Sequence, residues 1–250
     1  MRVVFLGTAG YHPNETRQTA CVMLPEFGIV FDAGTGFFRV RDQIRTPELH
    51  IFLSHYHKDH IDGLNYLLDV TYEKRVEVVH LYGKQPILEL HKQFQDPFFP
   101  VTLDKHSFKA ELHEWSPQVS RWAVGKAVIE ARMFTHLSGG SLGYRLTHEG
   151  KTLVYITDTI VTADAAAFVQ DADLFICETN FPNAMKDLAV RTTHSYPKLV
   201  AEVAKAANVK HLVLYHVNPL LKNTDILKKE AQEIFSGKVT VAEDKLALNI

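Results

Sequence analysis

At 250 residues with 46% apolar content, the chain is long enough for one substantial core, and a single domain over 1–250 is the working expectation. A formal charge of -2 supplies no basic excess to announce a polyanion such as tRNA or DNA, and no apolar run reaches the length of a membrane span or a signal peptide's apolar region. Two cysteines, Cys21 and Cys177, each inside an apolar run, fit buried free thiols in a reducing cytoplasm better than a disulfide framework; the unusual count is 14 histidines.

Residues 2–6 read as a strand ending at Gly7-Thr8-Ala9-Gly10, and 20–24 with 28–32 as a hairpin closing at Asp32-Ala33-Gly34-Thr35-Gly36. A helix near 36–44 precedes the strand His50-Ile51-Phe52-Leu53-Ser54. Residues 61–69 pattern as a helix with Ile61, Leu64, Leu67 and Leu68 on one face. A strand over 77–82 ends in Gly83, and a helix near 85–94 carries Pro86 in its first turn, where a missing N–H costs nothing. Residues 96–126 read as short strands with long turns. Strands follow over 127–135, 142–147 and 152–157, the last two joined through His148-Glu149-Gly150. A helix near 162–169 leads to the strand Leu174-Phe175-Ile176-Cys177, and a helix over 196–207 has Pro197 near its start. After a strand over 211–215, the last helix, 224–235, takes Thr224 as N-cap and Gly237 as stop.

The segment Ser54-His55-Tyr56-His57-Lys58-Asp59-His60 packs three imidazoles and a carboxylate between a strand and a helix. In extended chain His55 and His57 point the same way, so both reach one ion. Asp59 and His60, adjacent where the chain turns into the helix, can face a second. Neutral imidazole and carboxylate suit a borderline cation, Zn²⁺ first, with Mn²⁺ or Fe²⁺ as competitors.

This His-x-His-x-Asp-His motif resembles that of the metallo-β-lactamase superfamily of metallohydrolases, in particular the branch of ribonuclease Z and small phosphodiesterases. Strands in two groups with interspersed helices agree with a layered α/β protein. The resemblance implies the four-layer αβ/βα sandwich, two mixed β-sheets flanked by helices. It also implies further ligands at the ends of later strands: His136 in Thr135-His136-Leu137, Asp158 in Thr157-Asp158-Thr159, and His216 after Tyr215. By that carry-over His55, His57 and His136 hold one ion, Asp59, His60 and His216 the other, and Asp158 bridges. The remaining histidines, His12, His50, His80, His91, His106, His113, His148 and His211, read as surface or packing residues.

Five imidazoles and two carboxylates against two divalent ions leave a net charge of roughly +2, which attracts a phosphodiester monoanion. Two ions roughly 3.5–4 Å apart generate hydroxide near neutral pH and clamp the oxygens of an in-line displacement. Asp59 is expected to orient that hydroxide. A leaving alkoxide needs a proton. His194, in Thr193-His194-Ser195-Tyr196, resembles the catalytic histidine of ribonuclease Z, although Tyr196 replaces the usual threonine. Glu178 resembles that family's motif glutamate and is expected to hold His194. Substrate contacts are expected at the Ser138-Gly139-Gly140 turn, whose N–H groups suit a phosphate, and at Arg17, which resembles an arginine of a ribonuclease Z loop.

Asp158 argues against β-lactamase activity, since the β-lactamases lack that bridge. A thioesterase of glyoxalase II type is the alternative enzyme, without its usual helical tail here; a non-catalytic metal-binding scaffold is the other alternative. The Gly/Pro-rich arm with which ribonuclease Z grips tRNA is not visible. The expected substrate is therefore a small or cyclic phosphodiester, with a long RNA 3′ end less favoured. Phe98, Phe99, Phe108, Trp115 and Trp122 either finish the core or cover the site. No membrane partner is expected, and a homodimer stands open as the assembly.

Overall fold

The computed structural model describes residues 1–84, 90, 106–137 and 139–250. The first sheet is built from β1 (Arg2–Gly7), β2 (Cys21–Leu24), β3 (Ile29–Phe31), β4 (Glu48–Phe52), β5 (Val78–Gly83), β6 (Lys109–Glu114) and, at its other edge beside β1, β14 (Ala247–Asn249). The second runs from β7 (Arg121–Val124) through β8 (Ala127–Phe134), β9 (Ser141–His148), β10 (Lys151–Ile156), β11 (Leu174–Glu178) and β12 (His211–Tyr215) to β13 (Lys238–Val241). Each sheet changes character once along its width. β14-β1-β2-β3 pair antiparallel and β3-β4-β5-β6 parallel; β7-β8-β9-β10 pair antiparallel and β10-β11-β12-β13 parallel.

The central parallel strands β11 and β12 are covered on both faces, which is why their sequences are mostly apolar. β11 and β12 are buried at every residue. Between the sheets lies an aromatic-rich layer that includes Phe5, Phe31, Phe52, Tyr144, Tyr155 and Tyr215. A second apolar layer joins the outer face of the first sheet to the helical segments after β3 and β4, through residues such as Phe37, Ile61, Leu64 and Leu67. A third joins the second sheet to α3 (Ala165–Val169), α5 (Pro197–Ala206) and α6 (Asp225–Gln232), through Phe175, Val200, Leu214 and Leu227 among others. The order helix, sheet, sheet, helix is the expected four-layer sandwich. No helix among the described residues is long and apolar enough to cross a membrane.

Several elements differ from the sequence reading. The helix expected after the histidine motif is broken into α1 (Lys58–Ile61), a 3-10 turn (Asp62–Tyr66) and α2 (Leu67–Thr71). Gly63 is the cause: its N–H donates to the Ala33 carbonyl at 2.7 Å, and a Cβ there would lie 2.2 Å from the Gly34 carbonyl oxygen. The chain bends to lay this backbone on the turn after β3. The expected helix near 36–44 is a 3-10 helix, Thr35–Asp42. Thr224 stands at the N-cap of α6 without a side-chain capping bond, and that helix stops well before Gly237. A short helix, α4 (Lys186–Arg191), and the edge strands β13 and β14 were not anticipated. The helix expected near 85–94, apart from the buried, helical Leu90, lies outside the described residues, as do Phe98 and Phe99. Phe108, Trp115 and Trp122 pack into the core layers, so these aromatics finish the core and do not cover the site.

Candidate metal centre

The C-terminal ends of β3, β4, β8, β10, β11 and β12 lead into turns that meet at one rim of the layer between the sheets. The sequence-predicted ligands sit in those turns. His55, His57, His136 and Asp158 present ligand atoms within 4.8 Å of one another, and so do Asp59, His60, Asp158 and His216. Asp158 belongs to both groups and uses a different oxygen for each. Its Oδ2 lies 3.7 Å from Nε2 of His55 and 3.7 Å from Nε2 of His136. Its Oδ1 lies 3.1 Å from Nε2 of His60 and 3.2 Å from Nε2 of His216. Within the second group, Oδ2 of Asp59 is 3.2 Å from Nε2 of His216.

The backbone is bent to achieve this. Asp158 (φ 49°), His216 (φ 54°) and Asp32 (φ 57°) all occupy the left-handed region, uncommon for residues bearing a Cβ and concentrated at functional sites. The far nitrogens of the imidazoles are also held. Asp32 is completely buried and accepts from the Ser54 N–H (2.7 Å), the Ser54 hydroxyl (2.9 Å) and the Tyr155 hydroxyl (2.7 Å), while its Oδ2 is 2.8 Å from Nδ1 of His60. Ser54 Oγ is 3.1 Å from Nδ1 of His55, Thr193 Oγ1 is 3.0 Å from Nδ1 of His136, and Asn180 Nδ2 is 3.4 Å from Nδ1 of His216. Each of these partners fixes a ring so that Nε2 faces the centre, the usual role of outer groups around a metal-binding histidine.

The electrostatics fit a divalent cation. Burial holds His55 and His57 below the ordinary imidazole range and His136 at about 4, so these rings keep neutral lone pairs. Burial also pulls His60 down, but the carboxylates of Asp158, Asp59 and Asp32 outweigh it and push its pKa well above the ordinary value. Burial pushes Asp59 up, yet His60 and His216 hold it well below the usual carboxylate range. Nε2 of His55 and of His136 are buried without a hydrogen-bond partner among the described residues, as expected of atoms reserved for a metal. The donor set, imidazole nitrogen and carboxylate oxygen, matches that cation.

His194 and Glu178 form the expected pair. Glu178 is fully buried at the end of β11; its Oε1 accepts the Thr159 N–H, and its Oε2 is 2.8 Å from Nδ1 of His194. Burial lowers the His194 pKa, but Glu178 and then Asp158 and Asp59 outweigh it and raise it to about 9. Ser195 secures the loop: its hydroxyl donates to the Thr159 carbonyl at 2.7 Å and accepts the Val161 N–H at 2.9 Å.

Two expected substrate contacts are corrected. Arg17 is buried and does not line the cavity; its guanidinium donates to Thr8 Oγ1 at 2.7 Å and to the Ala242 carbonyl, tying the first turn to the end of the chain. Gly140 uses its N–H on the His136 carbonyl at 3.2 Å and its carbonyl on Lys84 Nζ at 2.7 Å, so it serves the turn that carries His136. Gly139 shares that left-handed turn (φ 88°) and also does not line the cavity; Ser138 falls outside the described residues.

Above the centre opens a cavity of about 610 Å³, into which Asp59, His136, Asp158, His194 and His216 face. Its rim is apolar: Tyr11 and Leu220 are 83% and 77% exposed, with Leu137 and Phe181 beside them. The sequence reading missed Asp32, Thr193, Asn180 and this rim. Its place directly after a buried strand, in the turn Asp32-Ala33-Gly34, was the one available signal for Asp32.

The family model described as beta-lactamase superfamily domain matches residues 28–217. The chain belongs to the beta-lactamase superfamily. A ribonuclease Z of Nitrosopumilus maritimus (strain SCM1) is 28% identical over 301 aligned positions, taking in 100% of this chain and 100% of that protein. Among solved structures, the metallo-beta-lactamase fold protein YhfI from Bacillus subtilis superposes with TM-score 0.82 at 22% identity, covering 99% of this chain and 98% of its own. Human tRNase Z, short form, superposes with TM-score 0.75 at 23% identity, covering 100% of this chain and 99% of its own. The superfamily's sandwich is therefore the fold of this chain, and its hydrolase class goes with His/Asp clusters suited to divalent metal.

Proposed function

We propose that this superfamily member is a phosphodiesterase of the ribonuclease Z-like branch, dependent on two divalent ions, zinc foremost, and acting on a small or cyclic phosphodiester. The observation that carries the reading is the placement of the His194–Glu178 pair on the same cavity as the doubly facing Asp158. His55, His57 and His136 would hold one ion, Asp59, His60 and His216 the other, with Asp158 between them. Divalent cations there supply Lewis acidity toward water and phosphoryl oxygens.

The chain's own groups do the rest. Asp59, held ionised, accepts the Tyr11 N–H at 2.7 Å and stands at the cavity floor to accept a hydrogen bond from an incoming water. His194 faces the cavity with one ring nitrogen fixed by Glu178, which leaves Nε2 to hand a proton to the departing alkoxide oxygen. The apolar rim of Tyr11, Leu137, Phe181 and Leu220 suits a base or other flat apolar group on the substrate.

The second reading is processing of an RNA 3′ end, favoured by full-length similarity to proteins named ribonuclease Z. Against it, the 301-position alignment exceeds the 250 residues here, so the relative carries stretches that this chain lacks, and the net charge of -2 offers a long RNA few phosphate contacts. The buried free thiols of Cys21 and Cys177 agree with a reducing cytoplasm as the setting. A screen of the zinc-loaded protein on bis-nitrophenyl phosphate, cyclic nucleotides, a tRNA precursor and lactoylglutathione tests the proposal. Phosphodiester turnover well above thioester turnover is expected; thioester turnover exceeding every phosphodiester overturns it.

A further inference from the structure

Three histidines read from sequence as packing residues line up away from the catalytic rim. β4, β5 and β6 are parallel and in register, so His80 lies between His50 and Glu111, and Tyr82 beside His113. The His50 and His80 rings stack at 4.5 Å between centroids with parallel planes, and His113 stacks on Tyr82 at 4.3 Å. Around His80 the polar atoms converge. Its Nδ1 is 3.0 Å from Nε2 of His113 and 3.3 Å from Oε2 of Glu111, and those two partners are 3.9 Å apart.

We propose that His80 Nδ1, His113 Nε2 and Glu111 Oε2 form a second metal site, for a zinc-like divalent cation, separate from the catalytic centre. Ligands about 2.0–2.1 Å from a tetrahedral zinc lie roughly 3.3–3.4 Å from one another, and the three observed separations bracket that spacing. The other side of His80 supports the assignment. Its Nε2 is buried without a hydrogen-bond partner among the described residues, yet Glu48 Oε2 stands 3.6 Å away. With a cation on Nδ1, the imidazole carries its proton on Nε2 and directs it at Glu48, the carboxylate–histidine–metal arrangement seen around bound zinc. Lys109 holds Oε1 of Glu111 at 2.5 Å, leaving Oε2 for the imidazoles. Glu48 and Glu111 balance a divalent charge, and the partly exposed Glu111 and His113 leave a fourth position to solvent.

The site would pin β6, the edge of the first sheet, to β5 across the long connection over 84–108. It shares no ligand with the catalytic centre.

The test is metal content of the full-length protein, stripped and then dialysed against excess Zn²⁺, for wild type, His113→Gln and Glu111→Gln. Both variants are expected to hold one ion fewer per chain than wild type, with phosphodiester turnover within about two-fold. Cobalt substitution should show the same loss as a drop in visible absorption per chain. Equal metal content in wild type and a folded variant overturns the proposal. Glu111→Gln, at a partly exposed side chain, keeps the test alive if His113→Gln does not fold. The count does not depend on which substrate the enzyme takes, so its failure is distinct from failure of the phosphodiesterase reading.

Discussion

β4 serves two histidine-carboxylate clusters: it carries Glu48 and His50 in its body and leads at its end into His55 and His57. In the strand cluster the side chains are fixed by the pleat and share a face with Phe52 and Tyr82 of the layer between the sheets. At the rim the ligands stand on turns, Asp158 and His216 with left-handed backbone, the remote nitrogens of His55, His60, His136 and His216 each meet a further polar group, and about 610 Å³ of open space lies above. Both clusters offer imidazole and carboxylate. Among the described residues, the rim cluster is the one that shares a cavity with the His194–Glu178 pair, and the proposed chemistry rests on that combination.

Asp158→Ala should blur the distinction most, because it removes the group common to both halves of the rim. Hydrolysis is expected to fall to background and metal content at the rim to drop, as read by turnover and by elemental analysis. Next in size, His194→Ala should lower kcat about 10²–10⁴-fold on a substrate with an alkoxide leaving group and far less on a nitrophenolate, which needs no proton. Equal losses on both would leave the rim without its acid and closer in kind to the strand cluster. Asp32→Ala leaves the Ser54 N–H, the Tyr155 hydroxyl and His60 without their shared acceptor. Activity or metal affinity should fall about 10–100-fold, and thermal unfolding should show a loss on the order of 1–3 kcal/mol for an orphaned buried group. A stable, fully active Asp32→Ala protein would show that the ligands need no outer support. Leu220→Ala, at the exposed rim, should raise KM about 3–10-fold for a cyclic nucleotide, on the scale of a lost apolar contact, and leave KM for a dialkyl phosphate unchanged.

How much of this was readable in the sequence depended on the same contrast. β4, β10, β11 and β12 announced themselves through short apolar stretches, 51–53, 153–156, 174–177 and 212–215, buried on both faces. The ligands followed because they sit where those runs stop. β13 and β14 escaped because they are short edge strands, 4 and 3 residues long, with half their side chains outside the core. The break at Gly63 was invisible because its cause is the carbonyl of Ala33, 30 positions away in sequence and adjacent only in the fold. Arg17 misled for a similar reason: a loop arginine resembling a substrate contact is engaged by Thr8 and Ala242, and the second lies at the far end of the chain. Asp32 was read as turn punctuation, since nothing local shows that His60, Ser54 and Tyr155 all come to it. Across-chain convergence of that kind also made a row of His50, His80 and His113 out of residues that looked unrelated.

The proposed two-ion centre requires Asp158 to face one ion with each carboxylate oxygen. A crystal of the zinc-loaded protein, with diffraction recorded on both sides of the zinc absorption edge, measures this. Two anomalous peaks flanking Asp158, one beside His55, His57 and His136 and one beside Asp59, His60 and His216, are the predicted result. A single peak, or peaks that leave Asp158 outside both coordination spheres, would contradict it.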